Sequence, residues 1–376
     1  MVRPHRSPFL SSLLAIALFA CALGVLPRPA VHAAARPDNA APSWNRQAAA
    51  NYLDSREAYW QTWDHAKREQ GTFCISCHTQ LSYAYARPAL REDLNERGLN
   101  PPEEALLASV RKRVQMWNQL PPFYNDTHSG TGKTEQARST EAALNAMILL
   151  RYDTRHLSDD TRAALNNVWA LQLKTGPDAG SWQWLTFDLA PWESANAQYF
   201  GAAMLAQAVA AAPDDYSRNH DVVGNLAALR LYLTSHYQEQ PLFNKVILLW
   251  ASAHFPNLLT PPLRKQLIRD IYNSQNPDGG WSLAKMLPWQ RMDKTPLPTA
   301  SDGYATGLAV LALEDNNASN SYLKQGVQWL LANQDKTTGA WPAVSLNKNR
   351  DPSSNVGKFM TDASTAFAAL ALEDQP

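Results

Sequence analysis

Apolar and polar positions recur at intervals of three and four residues along most of the chain, which is the period of an α-helix. Short stretches rich in Pro, Gly, Asn and Asp separate these segments and mark where helices end. The pattern predicts an all-α fold of about twelve helices. The predicted helices cover residues 47–69, 79–91, 102–119, 136–151, 158–173, 193–212, 218–237, 241–255, 260–274, 301–314, 318–334 and 361–373.

The predicted helices alternate in character. Residues 142–150, 201–212, 305–313 and 363–372 are small and apolar on nearly every face. A helix of this kind is buried on all sides. The helices between them carry more charge, as residues 102–113 do, and are expected to bury one face only. The alternation predicts an inner and an outer layer of helices.

Three loops share a Gln, a short polar stretch, a Gly and a Trp, and each lies between a predicted outer helix and the next inner one. A recurring loop of this kind indicates a repeated helical hairpin. The spacing between the loops leaves room for six hairpins, with degenerate copies near Gln240 and within residues 120–135. The three clear copies contain Gln172, Gly180 and Trp182; Gln275, Gly280 and Trp281; and Gln334, Gly339 and Trp341.

These loops look like the QW motifs of the terpenoid cyclase and protein prenyltransferase superfamily, most closely at residues 276–282, Asn-Pro-Asp-Gly-Gly-Trp-Ser. The resemblance implies an (α/α)6 toroid over residues 46–376, with six inner and six outer helices. It says little about the reaction, because a fold does not fix a function.

The catalytic motifs of that superfamily are incomplete here. Class II cyclases use a D-x-D-D motif, and the nearest segment, residues 299–306, keeps one acid, Asp302. Proton-initiated cyclisation is therefore not expected. Protein prenyltransferases bind zinc through an Asp, a Cys and a distant His, but no cysteine lies in the C-terminal half of this chain.

Four acidic residues, Glu141, Glu193, Asp302 and Asp362, lie near the predicted starts of inner helices. In a toroid these starts share one rim, so an acidic ring at a cavity mouth is one interpretation. Glu193, Asp302 and Asp362 would then be candidates for acid–base catalysis. Helix capping and favourable interaction with the helix dipole explain the same placement without any catalytic role.

Residues 73–79, Phe-Cys-Ile-Ser-Cys-His-Thr, contain the Cys-x-x-Cys-His signature of c-type haem attachment and resemble the first helix of a small cytochrome c. Two thiols three residues apart at a helix start can both reach the haem vinyl groups, and the adjacent imidazole can reach the iron. Cys74 and Cys77 are the predicted attachment sites, and His78 is the predicted proximal iron ligand. His128 and Met116 are the nearest downstream candidates for a distal ligand.

Two other interpretations of the cysteine pair stay open. In an oxidising compartment Cys74 and Cys77 could form a disulfide or a redox pair. A zinc site at the same position would need two or more further ligands. The motif lies in the first predicted inter-helix loop, where a QW loop is expected.

The first 35 residues have the pattern of a secretory signal peptide: a basic start, an apolar run over residues 9–26 and small residues up to 35. A retained membrane anchor is the alternative. Residues 36–45 are the predicted linker. Cleavage would remove Cys21 and leave Cys74 and Cys77 as the cysteines of an exported protein, periplasmic or secreted.

Composition narrows the function further. The chain has 376 residues with 34 basic and 34 acidic side chains, and this balance argues against a nucleic-acid partner. The sequence predicts an exported toroid with one haem c. Its function would be electron transfer to a redox partner protein or redox chemistry on an apolar ligand, such as an isoprenoid. No membrane association is expected after signal cleavage. A haem-free enzyme, terpenoid-cyclase-like or carbohydrate-active, and a binding protein are the alternatives.

Overall fold

The computed structural model describes residues 43–318 and 320–373, and within them it contains helices, turns and two isolated β-bridges but no strand. The predicted all-α class is thereby confirmed for this part of the chain. Each predicted helical segment overlaps one observed helix, with ends that differ by several residues. The twelve long helices are α1 Arg46–Thr62, α2 Ser82–Asp93, α3 Pro101–Gln115, α4 Lys133–Tyr152, α5 Asp159–Leu171, α6 Ala197–Ala210, α7 His220–His236, α8 Leu242–His254, α9 Pro261–Asn273, α10 Gly303–Asp315, α11 Ser321–Asn333 and α12 Phe359–Leu370.

Polar side chains define where many of these helices begin. Asn100 and Glu103 form a reciprocal capping box at the start of α3. Ser158, Thr260 and Asp302 accept backbone N–H groups in the first turns of α5, α9 and α10. Such caps satisfy donors that have no partner inside the helix, and they place each helix start at a defined residue.

Burial alternates along the chain as the apolar pattern predicts. The even-numbered helices are buried over most of their length, whereas the odd-numbered helices bury one face. The even-numbered helices contact one another in chain order from α2 to α12, and α12 in turn contacts α2. Helices α5, α7, α9 and α11 each pack on the even-numbered helix before them, α3 packs on α4, and α1 packs on both α2 and α12.

The tryptophans of the three repeated loops are buried anchors. Each indole N–H donates to a backbone carbonyl of the preceding odd-numbered helix, which fixes the loop against that helix. The pairs are Trp182 with Val168 at 2.7 Å, Trp281 with Ile271 at 2.8 Å and Trp341 with Leu330 at 2.9 Å.

The glutamines of these loops tie neighbouring hairpins together. Gln172 and Gln275 each donate to a carbonyl of their own loop and to one near the start of the next odd-numbered helix. Gln334 does the same, but the helix it reaches is α1: its amide donates to the carbonyl of Asn45, and its side-chain oxygen accepts the Asn45 N–H at 2.7 Å. Because Asn45 caps α1, this pair joins the last loop to the first helix.

The predicted signal peptide, residues 1–35, lies outside the described residues, and so does the predicted linker up to residue 42. The last linker positions already pack on the domain, since Trp44 is buried against Trp341 with ring centroids 5.9 Å apart. Within the described ranges no helix has both the length and the apolar character needed to cross a membrane.

Candidate functional site

The Cys-x-x-Cys-His motif occupies the connection between α1 and α2. The chain leaves α1, passes through the short turn Glu69–Gly71 and enters one π-helical turn, Cys77–Leu81, that continues into α2. The Ser76 hydroxyl accepts the N–H groups of Thr79 and Gln80 and so caps this turn. The motif therefore lies at a helix start in the first inter-helix connection.

The three residues Cys74, Cys77 and His78 line one cavity of about 320 Å³. This volume is at the lower end of the roughly 300–1,000 Å³ that is typical of small-molecule sites. Most of the wall is aromatic or aliphatic. Polar side chains complete it, among them Ser76, Thr140, Glu193, Ser345, Asn347 and Arg350. The aromatic wall residues are Trp60, Trp63, Phe123, Tyr124, Trp184, Trp192 and Phe359.

The two thiols are free in this structure and form no disulfide with each other. Burial raises the pKa of Cys74 to about 11, and burial together with the nearby Glu193 carboxyl also raises the pKa of Cys77. Both side chains are therefore protonated thiols near neutral pH. The indole of Trp60 donates to the carbonyl of Cys74 at 2.8 Å and fixes the backbone of the motif.

The imidazole of His78 is held between aromatic rings. It stacks on Phe359 with ring centroids 4.1 Å apart and an interplanar angle of 19°, and it meets the edge of Trp60 at 4.9 Å. Burial, assisted by the Arg56 charge, lowers the pKa of His78 to about 3. The ring is therefore neutral at physiological pH, which is the form that binds metals.

A buried polar network supports this imidazole. His78 Nδ1 lies 2.8 Å from the Thr79 hydroxyl oxygen, and that hydroxyl donates to Asp362 Oδ2 at 2.8 Å. The other oxygen, Asp362 Oδ1, accepts hydrogen bonds from Arg56 Nε at 2.7 Å and from the Tyr52 hydroxyl at 2.9 Å. Asp362 is 1% exposed. It therefore lies behind His78 in the protein interior, with both oxygens occupied.

Glu193 is the predicted acid that lines the cavity. Its carboxylate accepts no hydrogen bond from any residue in the described ranges, although Lys133 is close enough to interact with it electrostatically. Burial raises the pKa of Glu193 to about 7. The side chain is thus poised to take up or release a proton near neutral pH.

The other two acids lie elsewhere. Asp302 caps α10, accepts the N–H groups of Ala305 and Leu283, and lines a separate cavity of about 150 Å³. Burial raises its pKa to about 6. Glu141 lies in the middle of α4 and forms a buried ion pair with Arg113 at 2.6 Å. The four predicted acids therefore do not surround one cavity.

The candidates for a distal haem ligand are also separated from the cavity. His128 is exposed in the short helix Asp126–Ser129, and Met116 lies at the end of α3; neither residue lines the cavity. Met360 and Tyr124 line it instead. Met360 was not a candidate from sequence, because it lies 282 positions after His78 and no local pattern links the two residues.

Comparison with models of known protein families and with curated proteins found no match for this chain. Within the described ranges, no group of three or more His, Cys, Asp and Glu side chains is arranged to hold a metal ion. A haem iron needs fewer protein ligands, because the porphyrin supplies four of its own and the protein supplies the axial ones. The two free thiols and one neutral imidazole around an aromatic cavity fit that requirement.

Proposed function

We propose that this protein carries one covalent c-type haem, attached through Cys74 and Cys77, with His78 as the proximal iron ligand. The observation that carries the proposal is that these three side chains line the same aromatic cavity. When bound, haem c supplies one-electron redox chemistry at its iron. Free thiols and a neutral imidazole are the states that attachment and ligation require.

The cavity walls support the same proposal. Their aromatic side chains exclude water from an apolar macrocycle, and this exclusion is one of the means by which a protein sets a redox potential. Arg350, an exposed residue that also lines the cavity, offers a positive charge to a carboxylate-bearing group. Met360 and Tyr124 are better placed than Met116 or His128 to meet a ligand inside the cavity.

The proposal includes the architecture and the compartment. The closed order of contacts from α2 to α12 and back to α2 supports an (α/α)6 toroid with the even-numbered helices inside. We place the mature protein in the periplasm or outside the cell, where c-type haem is attached. There it would pass electrons to a redox partner protein or act on a ligand held in the cavity.

The test is an absorption spectrum of the full chain produced with and without a c-type haem maturation system. We expect a Soret band and haem that stays with the protein on denaturing gels. The Cys74→Ser/Cys77→Ser double variant should lose the covalent haem, and Cys74→Ser alone should keep at most one thioether. Matured wild-type protein without a Soret band would overturn the proposal.

A second candidate is a haem-free enzyme or binding protein that uses the same cavity. The carboxyl of Glu193, which accepts no hydrogen bond from the described residues, favours it, because a half-buried acid facing an aromatic cavity can act as an acid–base catalyst or bind a donor group. Asp302 lies at a different cavity and Asp362 has both oxygens occupied, so Glu193 would carry this function.

Thermal shift measurements distinguish the two candidates. The probes are farnesol, an apolar isoprenoid, and cellobiose, a carbohydrate. Stabilisation of the haem-free protein that survives Cys74→Ser/Cys77→Ser and disappears in Glu193→Gln would support the second candidate. Absence of any shift in the haem-free wild type would count against it.

A further inference from the structure

We propose that Asp362, acting through the Thr79 hydroxyl, holds His78 in the tautomer that carries its proton on Nδ1 and leaves Nε2 bare to bind iron. Asp362 and Thr79 are then positioning residues for the axial ligand. This inference rests on the proposed haem function for its purpose. The hydrogen bonds from His78 to Thr79 and Asp362 lie within the protein, however, so the tautomer of His78 can be tested without haem.

The direction of the two hydrogen bonds follows from counting hydrogens. The Thr79 oxygen lies 2.8 Å from His78 Nδ1 and 2.8 Å from Asp362 Oδ2, but a hydroxyl has a single hydrogen. An ionised carboxylate can only accept, so the Thr79 hydrogen points to Asp362. The Thr79 oxygen must then accept from Nδ1–H. A neutral imidazole has one N–H, which leaves Nε2 without a proton.

This direction requires an ionised Asp362. Burial raises the pKa of that carboxyl, whereas the Arg56 charge and the hydrogen bonds from Arg56, Thr79 and Tyr52 lower it. The contacts of Asp362 favour the carboxylate. Its Oδ1 accepts from the Arg56 guanidinium and from the Tyr52 hydroxyl. Arg56 is 5% exposed and is held in place by two further bonds to Asn355. An arginine does not lose its proton in a protein, and a buried guanidinium without a counter-charge is costly, so the charge of Arg56 favours the carboxylate.

The Thr79 hydroxyl is itself held at a fixed position. The backbone N–H of Thr79 donates to the Ser76 hydroxyl, and the Ser76 N–H donates to the side-chain oxygen of Gln80. These bonds lock the π-helical turn that carries His78 and Thr79. Helix α12 then supplies both supports of the imidazole, since Phe359 stacks on the ring and Asp362 anchors the hydroxyl.

The described residues form no hydrogen bond to His78 Nε2, which leaves that atom available. A hydrogen bond from the second ring nitrogen to an anionic partner raises the basicity of a metal-bound histidine. In this chain the carboxylate acts through one intervening hydroxyl. Loss of this support should weaken His78 as a donor to ferric iron and raise the reduction potential of the haem-loaded protein.

The matched variants Thr79→Val and Thr79→Ser test the hydroxyl. Nitrogen-15 NMR of the haem-free protein reports which nitrogen of His78 carries the proton. We expect the Nδ1–H tautomer in the wild type and in Thr79→Ser. Thr79→Val should shift the population towards Nε2–H, because Nδ1 then loses its acceptor. After haem loading, the midpoint potential should rise in Thr79→Val and stay near the wild-type value in Thr79→Ser.

Asp362→Asn tests the carboxylate more sharply. The asparagine oxygen would face the two donors, Arg56 and Tyr52, so its NH₂ group would point to Thr79. The Thr79 hydroxyl would then accept from the amide and donate to Nδ1, which reverses the tautomer of His78. This variant weakens a buried ion pair and can lose stability, so circular dichroism must show that it is folded, and Thr79→Val remains the decisive variant.

Two results would overturn the inference: an Nε2–H tautomer in the haem-free wild type, or the same tautomer in the wild type and in Thr79→Val. Failure of the wild type to acquire haem would overturn the proposed function but would leave the tautomer result standing. The two outcomes are therefore separable.

Discussion

At the scale of single residues, burial sets the charge state of the cavity. It raises the pKa of both thiols and of Glu193, and it lowers the pKa of His78. All four shifts favour the neutral form, as expected where water is excluded. The Arg56–Asp362 ion pair lies behind the wall, whereas Arg350 carries its charge at an exposed position of the wall itself.

Glu193 gives the stability of the protein a pH dependence that can be measured. Its pKa is raised from 4.5 to about 7, so its stability contribution is fully present below about pH 4.5 and is lost as pH rises towards 7. Glu193→Gln removes this titration. Above pH 7 the variant should be more stable than the wild type by on the order of 3 kcal/mol, from the size of the shift.

Urea unfolding at several pH values between 4 and 8 measures this difference. Glu135→Gln, at an exposed position in α4, is the control for the loss of one negative charge. A difference between Glu193→Gln and the wild type that does not change with pH would contradict the prediction.

The sequence pointed to Cys74, Cys77 and His78 because their Cys-x-x-Cys-His spacing is the signature of c-type haem attachment. It did not identify the supports of His78. Thr79 and Asp362 are 283 residues apart, and Arg56 and Asp362 are 306 apart, so no local pattern indicates that they meet. Asp362 was selected as an acid near a helix start, and only the packing of α12 against α1 and α2 gives it a partner.

At the scale of elements, the glycines of the repeated loops are fixed by close approach to the neighbouring helix. Gly180 has φ +97°, and a Cβ there would lie 2.2 Å from the carbonyl oxygen of Ala228 in α7. Gly176, in the same loop, has φ +86° but open space around it. A substitution at Gly176 therefore meets backbone strain alone, whereas one at Gly180 meets the same strain together with a steric clash.

We therefore expect Gly176→Ala to cost about 1–2 kcal/mol of stability, the penalty for a left-handed alanine. Gly180→Ala should cost about 1–3 kcal/mol more, because the backbone of α7 must move away. Thermal unfolding of both variants checks the difference. Equal losses at the two positions would show that the contact with Ala228 does not constrain the loop.

The tryptophan anchors give a second prediction at this scale. Trp341→Phe removes the indole N–H that bonds the carbonyl of Leu330 inside the core, and we expect it to cost at least about 1–3 kcal/mol. Trp329→Phe is the control, because its N–H bonds Asp278 at the surface and its loss should cost less. Chemical unfolding of the two variants measures both values, and a smaller loss for Trp341→Phe would contradict the assignment of Trp341 as an anchor.

The period of apolar residues predicts which segments are helical, but it does not predict where some of the helices begin and end. The apolar spacing predicts a first helix up to residue 69, whereas α1 ends at Thr62. The segment after α1 turns back, and the N–H of Cys74 bonds the carbonyl of Ala66. Tertiary pairing with the Cys-x-x-Cys-His segment therefore overrides the local helical preference. Helix α4 begins at Lys133, before the predicted start at residue 136. Glu141 therefore lies in the helix interior and not near its start.

At the scale of the whole molecule, the bond between Gln334 and Asn45 joins parts of the chain that are 289 residues apart. Gln334→Ala should therefore loosen α1 more than other helices. Hydrogen exchange of the α1 amides is the measurement, and we expect faster exchange there. Gln275→Ala is the matched control, because it removes the same kind of loop bonds but reaches Tyr322, 47 residues away. Equal exchange in α1 for both variants would contradict a special role for the Gln334–Asn45 pair.

The cavity wall has one further consequence, which concerns time. The thiols of Cys74 and Cys77 precede residues 345–360, which complete the wall, by more than 260 positions in the sequence. Because a chain is synthesised from its N-terminus, the thiols exist before the segment that buries them. The thiols are therefore uncovered for an interval, during which an attachment enzyme can reach them. Under the proposed haem function, attachment would therefore precede the packing of residues 345–360 against the motif.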